Sequence, residues 1–271
     1  MDKIEEKKHH TAQWFKKLRD QFCSSFQEID GGEFKRKKWK HKGEGGGEMS
    51  IMKGKVFEKV GVNISTVSGK FSEEYRDKIK GTEKSPKYWA SGISLVAHMN
   101  SPKIPAFHFN TRFLVTGVSW FGGGADITPT IVNEKDTKYF HAKMKEACTP
   151  HNEKYYQEFK KKCDEYFYLP HREEPRGEGG IFFDYINTGD WEKDFSFVKD
   201  VGLRTLEAIT EIVNLHKETH WSLKEKEAQL IKRGRYVEFN LIWDRGTLFG
   251  LKTGGATEAI MMSMPPTAKW V

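Results

Sequence analysis

Two neighbouring stretches of the chain carry polar side chains at a spacing of two residues, which is the side-chain repeat of a β-strand. They read Ser94-Leu95-Val96-Ala97-His98 and His108-Phe109-Asn110-Thr111-Arg112. If both are strands, the polar members of each stretch share one face, and the alternate, mostly apolar positions face a core. A sheet face with two imidazoles, a hydroxyl, an amide and a guanidinium predicts the floor of a binding site for an anionic ligand.

The rest of the chain alternates between helical and extended patterns. Helical patterns cover residues 1–30, 133–148, 152–167 and 190–216. Alternating patterns predict strands within 56–99, 105–121, 179–185, 235–243 and 258–264. Helices that flank groups of successive short strands are typical of an α+β protein with an antiparallel sheet. No internal repeat or long linker divides the sequence, so we expect a single domain over residues 1–271.

A basic run at residues 35–42 leads into a glycine-rich stretch at 43–47. Charge runs are usually solvated, so the first interpretation is a flexible surface loop. The alternative is a mobile basic lip over an acidic ligand. The glycines do not form a phosphate-binding loop, because no Lys-Ser or Lys-Thr pair follows them and no strand precedes them.

The charge and cysteine content limit the partners and the compartment. The formal net charge of +7 indicates attraction to an acidic small molecule or to a polyanion. No zinc-finger, RNP or helix-turn-helix pattern accompanies the charge, so no nucleic-acid partner is expected. No apolar run approaches the roughly 20 residues of a membrane span, so no transmembrane segment is expected. Three cysteines without a CxxC pair, and a first segment of mixed acids and bases, predict a cytoplasmic protein.

Two charged residues have both a functional and a structural interpretation. The fork of donors on Arg112 matches a ligand carboxylate, although the same arginine fits a structural salt bridge. Asp126 follows the aromatic pair and triple glycine of residues 120–124, where the backbone can bend or approach a ligand closely. It either presents a carboxylate to N–H donors or closes a turn before Thr128.

Histidines and a second glycine pair complete the candidates. His98, His108, His141 and His171 are potential metal ligands, but no zinc-type spacing relates them, so a metal is not favoured. The paired glycines in residues 251–256 either form a hairpin between two strands or hold a carboxylate with exposed N–H groups.

Taken together, these segments resemble the oxygen-dependent coproporphyrinogen III oxidases. The resemblance rests on residues 60–65, 92–98, 120–129, 163–172, 177–184, 233–247 and 261–266. It spans nearly the whole chain, and the longest segment reads Arg-Gly-Arg-Tyr-Val-Glu-Phe-Asn-Leu-Ile-Trp-Asp-Arg-Gly-Thr.

The resemblance implies a large antiparallel sheet flanked on both sides by helices, and a homodimer. It implies that two propionates of coproporphyrinogen III are oxidatively decarboxylated to vinyl groups, giving protoporphyrinogen IX, with molecular oxygen as oxidant. The electron-rich pyrroles supply the electrons, so no organic cofactor is expected. The alternatives are a tetrapyrrole-binding protein without catalysis, which would not consume oxygen, and a metal-dependent oxygenase that uses the four histidines.

The resemblance also implies roles for individual residues. His108 would be a proton donor, Asp126 would hold the pyrrole nitrogens, and Arg112 would clamp a propionate. Substrate contacts are expected at Ser94, Asn110, Thr111, Arg112, Gly254, Gly255 and Ala256. The four histidines match positions proposed as divalent-metal ligands in bacterial members, whereas other members are described as needing no metal. Ala256 stands where bacterial members carry an arginine.

Overall fold

The computed structural model describes residues 3–73, 79–252 and 255–270. It begins with helix α1 (Lys3–Asp30), followed by strands β1 (Lys35–Lys40), β2 (Glu44–Met52), β3 (Phe57–Lys70), β4 (Lys87–Met99), β5 (Ala106–Val115) and β6 (Ser119–Thr128). Next come helices α2 (Glu134–Cys148) and α3 (Tyr155–Tyr166) and strands β7 (Tyr168–Leu169), β8 (Glu174–Pro175) and β9 (Gly179–Ile186).

The C-terminal part of the described chain is helical. It contains α4 (Trp191–His216), α5 (Leu223–Glu238), a π-helical segment (Phe239–Trp243), α6 (Arg245–Lys252), α7 (Thr257–Ile260) and a 3₁₀ turn (Met261–Ser263). Within the described residues, no helix combines the length and the apolar character needed to cross a bilayer.

One large sheet organises the fold. Its strand order is β1-β2-β3-β4-β5-β6-β9, and every neighbouring pair is antiparallel. One face packs against α1 and α4 through aromatic rings, as in the pairs Phe22–Phe109 at 5.5 Å and Phe121–Phe195 at 5.7 Å between ring centroids. The alternation of residues 107–113 that predicted a core face on β5 is confirmed by these contacts.

The C-terminal helices cover part of the opposite face. The Asn63 amide donates to the Ala259 carbonyl oxygen at 2.9 Å, and the Lys59 ammonium donates to the Met264 carbonyl oxygen at 2.7 Å. Gly61 lies under Met262, whose sulfur occupies the space that a side chain at this position would need. Helices therefore flank the sheet on both sides, and the predicted α+β fold class is confirmed.

Two strands predicted near the C-terminus, 235–243 and 258–264, are wrong, because both segments are helical. Helix α5 begins at a capping box in which the Ser222 hydroxyl and the Glu225 carboxylate satisfy backbone N–H groups. The chain then continues without a break into the π-helical segment. Leu241, Ile242 and Trp243 are 45%, 50% and 40% exposed, so their apolar character does not mark a buried strand face.

The glycine-rich segments also differ from expectation. The basic run predicted to be a loop forms the exposed edge strand β1, where lysines deter pairing with another sheet. The triple glycine 122–124 was expected to end a strand, but it lies inside β6. The glycine pair 254–255 follows helix α6 and precedes α7, so the expected hairpin between strands is wrong, although Gly254 itself lies outside the described residues.

Candidate active site

The polar side chains of β5 and β6 meet on the sheet face opposite the aromatic core. His108 pairs with Asp126 in the register of the two strands, and His108 Nδ1 lies 2.6 Å from Asp126 Oδ1. The other carboxylate oxygen, Oδ2, accepts a hydrogen bond from Arg176, which follows β8. Asp126 and Arg176 are 3% and 2% exposed, so their ion pair is almost fully withdrawn from water.

Aromatic rings surround the buried arginine. The Arg176 guanidinium carbon lies 3.9 Å from the ring centroid of Phe167, 4.6 Å from that of Tyr236 and 4.9 Å from that of Phe239. Burial opposes ionisation of Asp126, but the positive charge of Arg176 and the hydrogen bonds from Arg176 and His108 outweigh it and hold the pKa of this carboxyl below the ordinary 3.8. The carboxylate therefore remains ionised and engaged on both oxygens.

A directional hydrogen-bond chain sets the tautomer of His108. Arg112 Nη1, a donor only, donates to Asn110 Oδ1 at 3.4 Å. The Asn110 amide nitrogen, Nδ2, then faces His108 Nε2 at 3.1 Å and donates to it. Nε2 is consequently the unprotonated ring nitrogen, and the proton resides on Nδ1, which donates to Asp126. The chain presets an imidazole whose Nε2 can accept a proton.

The outer end of this chain is open to ligands. The Arg112 side chain is 35% exposed and pairs with Asp184 of β9 at 3.0 Å. The pair lies across Gly122, where a Cβ atom would come within 2.5 Å of Asp184 Oδ1 and 2.8 Å of Arg112 Nη2. Glycine at this position leaves the room that the pair occupies.

A second exposed guanidinium lies over aromatic rings beside this face. Arg245, at the start of α6, has its guanidinium carbon 4.9 Å from the Tyr166 ring centroid and 5.9 Å from that of Phe182. Those two rings stack at 4.4 Å with an interplanar angle of 5°. The Tyr166 hydroxyl donates to Asp244 at 2.7 Å, which fixes the beginning of α6. Two arginines therefore border a surface with a flat aromatic component.

The structure brings some predicted contact residues together and separates others. Ser94 stands opposite Asn110 in the register of β4 and β5, on the same sheet face. The Thr111 side chain is on the opposite face, 1% exposed in the core, so it does not share the face of His108, Asn110 and Arg112. The N–H of Gly255 donates to the Gly250 carbonyl oxygen at 2.9 Å, and Ala256 caps the start of α7.

The four histidines named as metal ligands have separate protein partners. His98 Nε2 lies 2.9 Å from the Ser263 carbonyl oxygen, and burial lowers the pKa of this imidazole to about 3. His141 Nε2 lies 3.0 Å from the Glu178 carbonyl oxygen, and His171 Nε2 lies 2.8 Å from Glu238.

His98 Nδ1 has no hydrogen-bond partner among the described residues, and His98 is one of the residues that line a cavity of about 20 Å³, too small for more than a single water. No group of three or more histidine, cysteine or carboxylate residues in the described chain is arranged to hold a metal ion. Because each of the four histidines has its own partner, the residues present do not fit a four-histidine metal site.

Three charged residues at the site were not predicted from the sequence. Asp184 carries a usable signal, because it shares a spacing of two with Gly180 and Phe182 in a segment predicted to be a strand. Arg176 and Arg245 lie outside any alternating pattern. Only contacts made in the folded chain, with Asp126 and Phe182 respectively, bring them to this face.

This is an α+β protein in which a histidine, held by a buried ion pair, lies beside two arginines on a partly aromatic sheet face. Comparison with known sequences gives the family. The profile of the coproporphyrinogen III oxidases matches residues 10–271.

Two curated relatives show the same similarity over nearly full length. Oxygen-dependent coproporphyrinogen-III oxidase of Rickettsia bellii (strain RML369-C) is 56% identical over 270 residues, which cover 96% of this chain and 97% of the relative. The enzyme of the same name from Rickettsia akari (strain Hartford) is 55% identical over 275 residues, which cover 98% of this chain and 99% of the relative. The chain belongs to the coproporphyrinogen III oxidase family. The predicted family and the predicted oxidoreductase class are confirmed.

Proposed function

We propose that this chain, as one catalytic domain, converts coproporphyrinogen III to protoporphyrinogen IX in porphyrin and haem biosynthesis. Two propionates become vinyl groups, and molecular oxygen is the oxidant. The observation that carries the proposal is the directional chain from Arg112 through Asn110 to His108 and Asp126, on a face bordered by exposed guanidinium groups. This series of hydrogen bonds lies in a protein related to enzymes that are named oxygen-dependent coproporphyrinogen-III oxidase.

The substrate is an acidic macrocycle, and the site offers cations at its edge. Arg112 binds a propionate with a charge-assisted hydrogen bond, which is worth about 1.5–3 kcal/mol net. Arg245 is the second carboxylate contact, since its exposed guanidinium is held over the rings of Tyr166 and Phe182. The net charge of +7 draws the tetracarboxylate to the protein over longer distances.

Each propionate loses a proton and two electrons in addition to carbon dioxide. The carbon next to the pyrrole gives up the proton, the bond to the carboxylate carbon breaks, and its electron pair forms the vinyl double bond. The pyrrole relays two electrons to oxygen, which takes up the proton given up by the carbon and a second proton from solvent, and leaves as hydrogen peroxide.

His108 Nε2 accepts and returns protons in this sequence, because Asp126 holds the proton on Nδ1 and stabilises the imidazolium that forms. This assignment changes the role expected for Asp126. Each of its oxygens already accepts a hydrogen bond, from His108 or from Arg176, and its side chain is only 3% exposed, so we assign it to orienting the histidine rather than to holding the pyrrole nitrogens. Nε2 has a single lone pair, so it accepts a proton only when the hydrogen bond from Asn110 Nδ2 opens.

The direct test is product analysis with and without oxygen. Purified protein should form protoporphyrinogen IX from coproporphyrinogen III in air, with one oxygen consumed for each vinyl group, and none under nitrogen. His108→Gln should lose about 10²-fold or more in kcat. The matched control is His151→Gln, because His151 also pairs with an aspartate, Asp200, at 2.7 Å but outside this site. Binding of coproporphyrinogen III without oxygen uptake would contradict the proposal and favour a tetrapyrrole carrier without catalysis.

The active form is proposed to be a homodimer. Support comes from the π-helical segment, whose consecutive side chains Leu241, Ile242 and Trp243 expose a large apolar surface. A second copy of the chain would remove this surface from water.

Ile242→Glu should therefore give a monomer in sedimentation analysis, while Leu215→Glu, at a 62% exposed position of α4, should remain a dimer. A wild-type protein that sediments as a monomer at micromolar concentration would contradict the homodimer.

The cytoplasm is the proposed compartment. Cys23, Cys148 and Cys163 are all buried free thiols, which suits a reducing environment. Burial raises the pKa of Cys23 to about 11, so this thiol is protonated and unreactive at neutral pH. Fractionation of cells that express the tagged protein would test the compartment.

A further inference from the structure

Asp184 competes with any incoming carboxylate for Arg112. Its Oδ2 lies 3.0 Å from Arg112 Nη2, and both side chains are partly exposed, at 28% and 35%. A ligand carboxylate that takes the same face of the guanidinium must displace Asp184 or share the fork with it. An internal carboxylate at a cation that binds carboxylates weakens binding, so its presence requires a reason.

The backbone of β9 is shaped to hold this carboxylate in place. Tyr185 adopts a left-handed conformation, with φ +57°, which is uncommon for a residue with a side chain. Its N–H donates to Asp184 Oδ1 at 3.0 Å. The register of β6 and β9 shifts at this point, between Phe121 and Gly123, which leaves Gly122 beneath the pair. Both oxygens of Asp184 are therefore directed, one by the strained backbone and the other by Arg112.

The ring of Tyr185 anchors the strained residue. It stacks on Trp120 at 4.8 Å between centroids, and the Lys80 ammonium lies 4.7 Å from its ring centroid. This packing fixes the left-handed backbone, so Asp184 stays beside Arg112 when no ligand is present. The backbone beside Asp184 is thus fixed by the fold, so the carboxylate returns to the same place beside Arg112 whenever the site is empty.

We propose that Asp184 substitutes for the carboxylate that the substrate loses. The inference rests on the proposed function, in which Arg112 clamps the propionate that leaves as carbon dioxide. Before reaction the substrate carboxylate occupies Arg112 and displaces Asp184. After decarboxylation the guanidinium would face an uncharged vinyl group, and Asp184 returns to it. Asp184 therefore weakens binding of the carboxylated substrate and leaves binding of the vinyl product unchanged.

The test compares two oxidised porphyrins that bind but do not react, coproporphyrin III with four carboxylates and protoporphyrin IX with two. Dissociation constants are measured by quenching of tryptophan fluorescence. Asp184→Asn should lower the dissociation constant of coproporphyrin III about three- to tenfold. This range lies between the effect expected for a partly exposed ion pair and that expected for a charge-assisted hydrogen bond. The dissociation constant of protoporphyrin IX should change less than about twofold, because this porphyrin lacks the carboxylate that Arg112 binds. In turnover, KM for coproporphyrinogen III should fall by the same factor.

Two controls separate this effect from general electrostatics. Glu207→Gln removes a carboxylate that pairs with Lys143 and Arg204 away from the site, and it should change neither dissociation constant. In an Arg112→Ala background, Asp184→Asn should have no effect on either porphyrin, because the two residues act through one contact.

If Asp184→Asn strengthened the binding of both porphyrins equally, or of neither, the inference would be overturned. The proposed function would still stand as long as the wild-type protein turns over coproporphyrinogen III. A wild-type protein without turnover would instead reject the proposed function itself.

Discussion

The two faces of the same sheet are built on opposite principles. The face toward α1 and α4 is a layer of aromatic and aliphatic side chains, with Phe109 and Phe113 fully buried. The face one residue away on the same strand carries His108, Asn110 and Arg112 in a single hydrogen-bond chain. Close packing of side chains stabilises the first face, whereas hydrogen bonds and ion pairs fix the positions of the side chains on the second.

The difference shows where substitutions separate stability from activity. A change on the aromatic face leaves a cavity and weakens the whole fold, while the catalytic groups keep their mutual geometry. A change at the exposed end of the polar face removes a contact with the ligand but few packing interactions. The buried end of the polar face, Asp126 with Arg176, combines both properties, because it is charged and fully enclosed.

The largest effect is expected at that buried end. Asp126→Asn leaves the Arg176 guanidinium buried without a carboxylate, and the free energy of unfolding should fall by about 3–5 kcal/mol. Activity should also fall by about 10²-fold or more, because His108 loses the acceptor that fixes its tautomer. Adding Arg176→Met should restore most of the stability in urea unfolding but none of the activity. Recovery of activity in the double variant would contradict the role of Asp126.

A core substitution of similar size should affect stability alone. Phe109→Ala is expected to lower the free energy of unfolding by about 3–5 kcal/mol, because the ring packs on Phe22 at 5.5 Å inside the aromatic layer. Below the unfolding temperature, kcat should stay within about twofold of the wild type. Urea unfolding and steady-state rates at 20 °C, measured on the same preparation, test the predicted loss of stability and the predicted constancy of kcat. A fall in kcat that matches the one in Asp126→Asn would erase the distinction between the faces.

An intermediate effect is expected at the exposed end of the polar face. Arg112→Ala should raise KM for coproporphyrinogen III roughly 10- to 100-fold, the equivalent of one charge-assisted hydrogen bond, with little change in stability. Arg112→Lys keeps the charge but not the fork, and it should recover only part of the loss. An unchanged KM in Arg112→Ala would remove this residue from substrate binding.

The smallest effect is a dependence of stability on pH that arises at His98. Burial lowers the pKa of His98 to about 3, whereas an unfolded histidine titrates near 6.5. Between these values the unfolded chain binds a proton that the folded chain does not, so stability is lost as the pH falls below 6.5. The loss should be at most about 1.4 kcal/mol per pH unit and should be reduced in His98→Asn. Urea midpoints at pH 7.5 and pH 5 measure it, and an identical pH dependence in both proteins would contradict the assignment.

The sequence predicted the two faces better than it predicted their surroundings. Alternation at residues 107–113 was sufficient, because one side of β5 is wholly buried and the other is polar. The same reasoning failed at residues 235–243, where apolar side chains alternate although Leu241 and Trp243 are exposed on a π-helical segment. The alternation of apolar and polar residues therefore does not predict a buried strand face when the apolar side chains face the solvent.

The part of the site that lies within one strand could be predicted most directly. His108, Asn110 and Arg112 lie within five residues, and their shared face follows from strand geometry. Arg176 reaches Asp126 from a position 50 residues later, and no pattern in the sequence announces that contact. Long-range charge pairs depend on the packing of separate elements, which periodicity does not encode.

The protonation state of His108, measured without and with a ligand, is the sharpest check on the proposed role of its Nε2 in proton transfer. In ¹⁵N spectra of the imidazoles at neutral pH, His108 should carry its proton on Nδ1 and have a bare Nε2, as the bonds from Asn110 and to Asp126 require. Addition of coproporphyrin III should shift His108 Nε2 and leave the resonances of His151 and His216 in place. A His108 protonated on Nε2, or one whose signals ignore the porphyrin, would contradict the account.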